Sequence, residues 1–144
     1  MISLLNGIES TASALDAERI RMDVISQNIA NANTTKGADG KPYQRQEVVF
    51  ETVLRAQQDS NGATSGPQSV QIARIQKDSR PPRLVYNPGH PDADSNGMVA
   101  MPDINIHREM VDMIASSRSY EANLAVVKNA RAMALQALSI AKHS

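Results

Sequence analysis

Two stretches with helical spacing of apolar positions bracket a middle that lacks it. Residues 103–142 contain no Gly and no Pro, and apolar or small residues recur there at steps of four and three: Ile106, Met110, Met113, Ser117, Tyr120, Leu124 and Val127. The stripe resumes at Ala134, Leu138 and Ala141 after Arg131 interrupts it, with Ala130 beside it. This spacing predicts one unbroken helix whose narrow seam buries against another helix. At 1.5 Å per residue such a helix is roughly 60 Å long. That exceeds the diameter of a globule of this chain length, so one end must rest on something beyond its own chain.

Residues 2–32 predict a second helix, with a seam at Leu5, Ile8, Ala12, Leu15, Met22, Ile25 and Ile29 and with Arg19 in its one longer gap. Gly7 weakens the first turns by up to about 1 kcal/mol relative to Ala. The run from Gln27 to Thr35 ends the helix, because Asn and Thr side chains bond their own backbone and compete with helical hydrogen bonds. Between the helices lie all seven Pro and six of the seven Gly, which excludes a third long helix. Tyr43 to Leu54 and Val70 to Ile75 are rich in β-branched residues and predict strands; Arg83–Tyr86 and Met98–Met101 are shorter candidates. Residues 57–69 are polar and Gly-containing, and predict a mobile loop.

The expected fold class is therefore α+β. An N-terminal assembly helix (1–35) and a C-terminal one (103–144) pack antiparallel as a coiled-coil-like pair, with a small β-rich insert (36–102) between them. Chain geometry carries the orientation: both helices flank one insert, so the second must run back along the first.

Composition narrows the function. Lys plus Arg equals Asp plus Glu at 15 each, so no basic face announces nucleic-acid binding. Only Tyr43, Phe50, Tyr86 and Tyr120 are aromatic, which makes for a thin core. The lack of Cys excludes disulfides and thiolate metal sites. No apolar run reaches the length of a membrane span, and Met1–Leu5 has no positive n-region; the expectation is a soluble chain whose export does not use a cleaved signal. The first helix is net negative and the last slightly positive, which favours their pairing only mildly.

Candidate chemistry is sparse. Asp92-Ala93-Asp94-Ser95-Asn96-Gly97, with Asp103 further on, matches part of a calcium-loop pattern. Pro88-Gly89-His90-Pro91 precludes the entering helix of an EF-hand, and Asp at the last position is too short for bidentate binding. We read the run as a turn in which Asp92, Asp94 and Asn96 bond backbone amides, with Asp103 capping the following helix. His90, His107 and His143 have no partners at triad or ligand spacing, so neither catalysis nor a metal or cofactor is expected. Asn33-Thr34-Thr35 forms a sequon that carries little weight alone. Asn123 lies beside the seam, where it either fixes helix register or faces solvent.

Three longer motifs resemble the flagellar basal-body rod family. Ser26-Gln27-Asn28-Ile29-Ala30-Asn31-Ala32-Asn33-Thr34-Thr35-Lys36-Gly37 is similar to the N-terminal signature of rod and hook proteins, notably at Asn28, Asn31 and Asn33. Glu109 to Asn123 is similar to their C-terminal signature, with Tyr120, Glu121 and Asn123. Leu84 to Gly97 with Met101-Pro102-Asp103 resembles the proximal rod branch, apart from Met98 where an aromatic is expected. The resemblance implies a non-enzymatic structural subunit of the periplasmic rod, the proximal part of the drive shaft. It implies export through the flagellar type III apparatus and assembly, as homo- and hetero-oligomer, with other rod subunits and basal-body proteins. The assembly interface would then be Leu5, Ile8, Leu15, Met22, Ile25, Ile29, Met110, Met113, Tyr120, Leu124, Val127 and Leu138. The competing reading is a helical-hairpin adaptor that binds a partner through the same seams.

Overall fold

The computed structural model describes the backbone of residues 2–54 and 68–142 and the side chains of residues 7–52 and 70–140. Its elements run α1 (Ile2–Ala30), β1 (Gln46–Leu54), β2 (Gln68–Lys77), β3 (Arg83–Tyr86), β4 (Met98–Met101) and α2 (Ile106–Lys142). The class is α+β. Both terminal helices form as their spacing predicts, and α2 extends over 37 residues without a break. The two short strands occupy the residues expected for them, because Pro and Gly fence them on both sides. β1 begins at Gln46 rather than Tyr43, and β2 takes in Gln68 and Ser69, the last two residues of the expected loop 57–69; the rest of that loop, up to residue 67, lies outside the described residues.

β1 pairs with β2, and β3 pairs antiparallel with β4, so the described residues form two separate two-stranded sheets. Leu84 faces Ala100, Val85 faces Val99 and Tyr86 faces Met98. Alternation puts Val99 inside, at 1% exposure, while Leu84 and Tyr86 point outward.

The chain forms two compact units. One contains α1 as far as Ile20, the described part of Phe50–Ala73, and α2 from Ser116 onward. There the Val70 N–H donates to Ser13 Oγ at 3.3 Å, and Ala17, Ser116 and Ala130 are buried. The other contains Arg21–Val49 and Arg74–Ala115, with Val24, Ile25, Ala32, Val99 and Pro102 buried. These side chains are small or few. Among the described residues the buried apolar side chains are Ala17, Val24, Ile25, Ala32, Val99 and Ala130.

The observed seams are offset from the expected ones. On α2 the covered row is Ile106, Glu109, Met113, Ser116, Tyr120, Asn123, Val127 and Ala130, at strict steps of three and four. Met110, expected inside, is half exposed, and Glu109 takes the position. Ser116 is buried with no hydrogen-bond partner for its hydroxyl, while Ser117 is only half-buried. Asn123 and Leu124 are both half-buried. On α1 the buried residues are Ala17, Val24, Ile25 and Asn28, whereas Ala12 is exposed and Ile8, Leu15, Met22 and Ile29 are half-buried. The side chain of Leu5 lies outside the described residues. At Glu109 and Asn28 the offset has a physical cause: counting only apolar residues misses polar ones that are inside because they are hydrogen-bonded.

The start of α2 also differs from expectation. The helix begins at Ile106, and Asn105 is its N-cap: Oδ1 accepts from the Arg108 N–H at 3.2 Å and the backbone carbonyl accepts from Glu109 N–H at 3.0 Å. Asp103 does not cap the helix. Its carboxylate is turned to Arg80 Nη1, 2.9 Å away.

Candidate functional site

The densest set of polar contacts lies where the last turn of α1 meets the first turn of α2. Asn28 is 1% exposed and uses all four of its side-chain hydrogen-bonding positions. Its Nδ2 donates to the Gln46 carbonyl at 2.9 Å and to Glu109 Oε2 at 3.1 Å. Its Oδ1 accepts from the Gln46 N–H at 2.9 Å and from the Tyr43 hydroxyl at 3.1 Å. Asn28 thus treats Gln46 as a neighbouring strand would, taking both backbone groups of the first residue of β1. Asn suits this position because it alone offers two donors and two acceptors at this length.

Glu109, also 1% exposed, is held by two partners. Arg45 Nε donates to Oε1 at 2.7 Å, and Asn28 occupies Oε2. Arg45 reaches Glu47 as well, at 3.8 Å. Burial, and secondarily the Glu109 charge, raise the pKa of the Tyr43 phenol above its usual range. The hydroxyl therefore stays protonated and able to donate.

A second group of contacts fixes the connections around this junction. Arg80 forms a fork on Asp78 Oδ2, at 2.8 Å from Nε and 2.7 Å from Nη2, and its other terminal nitrogen meets Asp103. The hydrogen bond from the Arg80 side chain is the main cause that holds the Asp78 carboxyl below the ordinary carboxylate range, with the Arg80 backbone N–H adding to it. Lys41, Tyr43, Arg45, Lys77, Arg80 and Asp103 are among the residues that line an open cavity of about 420 Å³ here, with both signs of charge on its walls.

The acidic run after β3 is a turn, built differently from the expectation. Asp94 Oδ1 accepts from the N–H groups of Asn96 and Met98, each at 2.8 Å. Asp92 caps no amide; it accepts from the Thr35 hydroxyl at 2.8 Å and faces Lys36 at 3.7 Å, tying the segment after α1 to this loop. Asn96 contributes its backbone N–H. Gly97 has φ +74°, and a Cβ there would meet the Tyr86 ring at 3.0 Å and Pro88 Cβ at 3.1 Å. The turn joins β3 to β4 rather than leading into α2. Among the described residues no three or more His, Cys, Asp or Glu group as a metal site would require.

The expected signature residues divide accordingly. Asn28 is the hub, and Asn31 serves the end of α1 by donating to the Gln27 carbonyl at 2.9 Å and accepting from the Thr34 hydroxyl at 3.2 Å. Asn33 and Glu121 are exposed, while Tyr120 is half-buried. Sequence reasoning missed the roles of Tyr43, Arg45, Gln46 and Glu109. The one available signal was that Glu109 stands three residues after Ile106 and four before Met113, on the seam.

Outward-facing apolar groups remain. Beyond Ala130 every described residue of α2 is exposed, including Met133, Leu135, Leu138 and Ile140 at 58–66%. No helix among the described residues is long and apolar enough to cross a membrane.

Comparison with known proteins specifies the class to which a chain of this architecture belongs. Residues 8–38 match the family model for flagella basal body rod proteins, and residues 95–140 match that for the C-terminal region of flagellar basal body rod FlgEFG proteins. The chain is 40% identical to the flagellar basal-body rod protein FlgC of Borreliella burgdorferi, covering 96% of this chain and 98% of the relative. It is 37% identical to the FlgC of Salmonella typhimurium, covering 96% and 98%, and 36% identical to that of Bacillus subtilis, covering 98% and 100%. The chain belongs to the FlgC family of flagellar basal-body rod proteins.

Proposed function

We propose that this chain is a non-enzymatic subunit of the proximal part of the flagellar rod, assembled through its two terminal helices. The observation that carries the mode of assembly is the uncovered end of α2. Ten consecutive residues, 131–140, are exposed although Met133, Leu135, Leu138 and Ile140 are apolar. A helix apolar on several sides is one that other chains bury. Antiparallel packing of α1 and α2 is supported by the Asn28–Glu109 bond, which holds the end of one helix to the start of the other. Within the expected interface, Ile25 is already covered inside the subunit, whereas Met110 and Leu138 remain available to neighbours. The adaptor reading rests on the same exposed helix, and family membership favours the rod. Partners are then other rod subunits and adjoining basal-body proteins, reached after type III export to the periplasm; the thin core suits a chain that crosses unfolded.

Incorporation into purified basal bodies tests this. In a motile bacterium lacking its own rod gene of this family, the chain should restore the rod. Leu138→Asp should leave the purified subunit folded, because the residue is two-thirds exposed, yet prevent incorporation. Normal swimming with Leu138→Asp would overturn the interface.

A further inference from the structure

The β3–β4 hairpin has one guarded edge and one open edge. Its register, with the hydrogen bond from the Asn87 N–H to the Gly97 carbonyl at 2.9 Å, sets the alternation of the ladder. Val85 turns its backbone groups to Val99, so the N–H and C=O of Leu84 and Tyr86 point away from β4. Among the described residues β3 pairs with no strand but β4, and every residue from 81 to 89 except Val85 and its neighbour His90's side of the turn is open to solvent, with Leu84 at 63% and Tyr86 at 70% exposure. On β4, by contrast, Asp94 takes both outward groups of Met98: Oδ1 accepts from the Met98 N–H and the Asp94 N–H donates to the Met98 carbonyl, each at 2.8 Å. Pro82 and Pro88 stand at the next outward positions of the β3 edge and have no N–H to offer. Arg83 is exposed, and no ion pair among the described residues engages it.

We propose that β3 accepts an added antiparallel strand from a different protein, one that carries two alternate apolar residues followed by a carboxylate. Antiparallel pairing, which β3 already makes with β4, sets partner residues opposite Tyr86, Val85, Leu84 and Arg83 in that order. Those opposite Tyr86 and Leu84 exchange backbone hydrogen bonds with them and cover their apolar side chains. The one opposite Arg83 lies on the other face, where Asp or Glu meets the guanidinium. The partner segment therefore reads apolar, any, apolar, acidic from its N-terminal end. A second copy of β3 would fill the same backbone groups, with Leu84 opposite the other copy's Tyr86. It would set Asn87 across from Arg83, however, and leave that charge without a carboxylate. Charge complementarity decides for the acidic strand. An edge that offers both free backbone groups and bare apolar side chains is one that proteins guard when it has no partner, as β4 is guarded here. Neither terminal helix takes part, so the contact goes beyond the rod reading and fails or stands apart from it.

Amide hydrogen exchange of the isotope-labelled full chain, followed by NMR during titration with the blocked peptide acetyl-Ser-Val-Thr-Val-Glu-Ser-amide, tests the contact. So short a ladder should bind with a Kd of about 1 mM. At about ten times that concentration the amides of Leu84 and Tyr86 should exchange roughly tenfold more slowly, since the edge is then free only about a tenth of the time. Replacing Glu by Lys in the peptide should weaken binding by about twofold to fivefold. Arg83→Glu should reverse that preference, and Arg83→Gln should abolish it; the residue is exposed, so both variants should keep the wild-type spectrum elsewhere. If Arg83→Glu loses that spectrum, Arg83→Gln decides alone. Unchanged exchange at Leu84 and Tyr86, slowing confined to other amides, or equal binding of the Glu and Lys peptides by the wild type would each overturn the proposal. Protection of the same two amides on raising the protein concentration without peptide would put a second copy on the edge, and would overturn the acidic strand as its partner.

Discussion

Arg45 Nε stands 2.7 Å from Glu109 Oε1, across 64 residues of sequence, and the carboxylate it meets is 1% exposed. The pair joins the entry to β1 to the first turn of α2. A buried ion pair contributes little net stability over an apolar replacement, but losing one partner leaves a charge without compensation. Arg45→Met should therefore destabilise the chain by about 3–5 kcal/mol. Adding Glu109→Leu to Arg45→Met should recover much of that loss, which makes the two changes strongly non-additive. Urea denaturation of the four proteins checks it; additive losses would show that the pair does not act as a unit.

The start of α2 offers a contrast between two neighbouring polar residues. Asn105 caps the helix through Oδ1, so Asn105→Ala should cost about 0.5–2 kcal/mol. Among the described residues Asp103 pairs with Arg80, both side chains being about half exposed, and such pairs contribute about 0–1 kcal/mol. Asp103→Ala should be the milder change, and its effect should fade in high salt while that of Asn105→Ala persists. Thermal unfolding at two salt concentrations separates them.

This contrast also marks how far the residues spoke for themselves. The helices and the strands Arg83–Tyr86 and Met98–Met101 were legible because breakers fence them and the spacing between breakers is unambiguous. Which of two polar residues, Asp103 or Asn105, caps α2 was not, since Asp and Asn both suit the role and Asp103 is drawn to Arg80, brought in from more than twenty residues away. Glu109 was the larger omission. A carboxylate on a seam reads as an interruption until Arg45 and Asn28 are seen beside it, and nothing local to Glu109 foretells either. Asn28 was legible only as part of a signature, which marks a position without saying what it bonds.

Gly97 couples a backbone requirement to a packing one. Its φ of +74° lies in the left-handed region, and a methyl group there would press on the Tyr86 ring at 3.0 Å and on Pro88 Cβ at 3.1 Å, so one of them must give way. Gly97→Ala should destabilise the chain by about 1–3 kcal/mol, with the damage confined to the β3–β4 connection. Gly40 shares the φ but has open space around it, so Gly40→Ala should cost less, about 1–2 kcal/mol. Equal losses would mean that Tyr86 moves aside freely.

Two groups should set the limits of stability with pH, from opposite sides. Asp78 has a lowered pKa in the fold, mainly through the hydrogen bond from the Arg80 side chain. The folded chain thus binds that proton less readily than the unfolded one. Its contribution is present at neutral pH and is lost as pH falls below roughly 4. Tyr43 has a raised pKa, through burial first and the charge of Glu109 second. The folded chain holds the phenolic proton more tightly, so this contribution is present at neutral pH and is lost as pH rises beyond about 10. Denaturation from about pH 3 to about pH 11 should show both limbs. Asp78→Asn should flatten the acid limb alone. Tyr43→Phe should flatten the alkaline limb and remove about 1 kcal/mol at neutral pH, for the hydrogen bond to Asn28. An alkaline limb unchanged in Tyr43→Phe would place its origin in another group and would separate the Tyr43 hydroxyl from the stability of the junction.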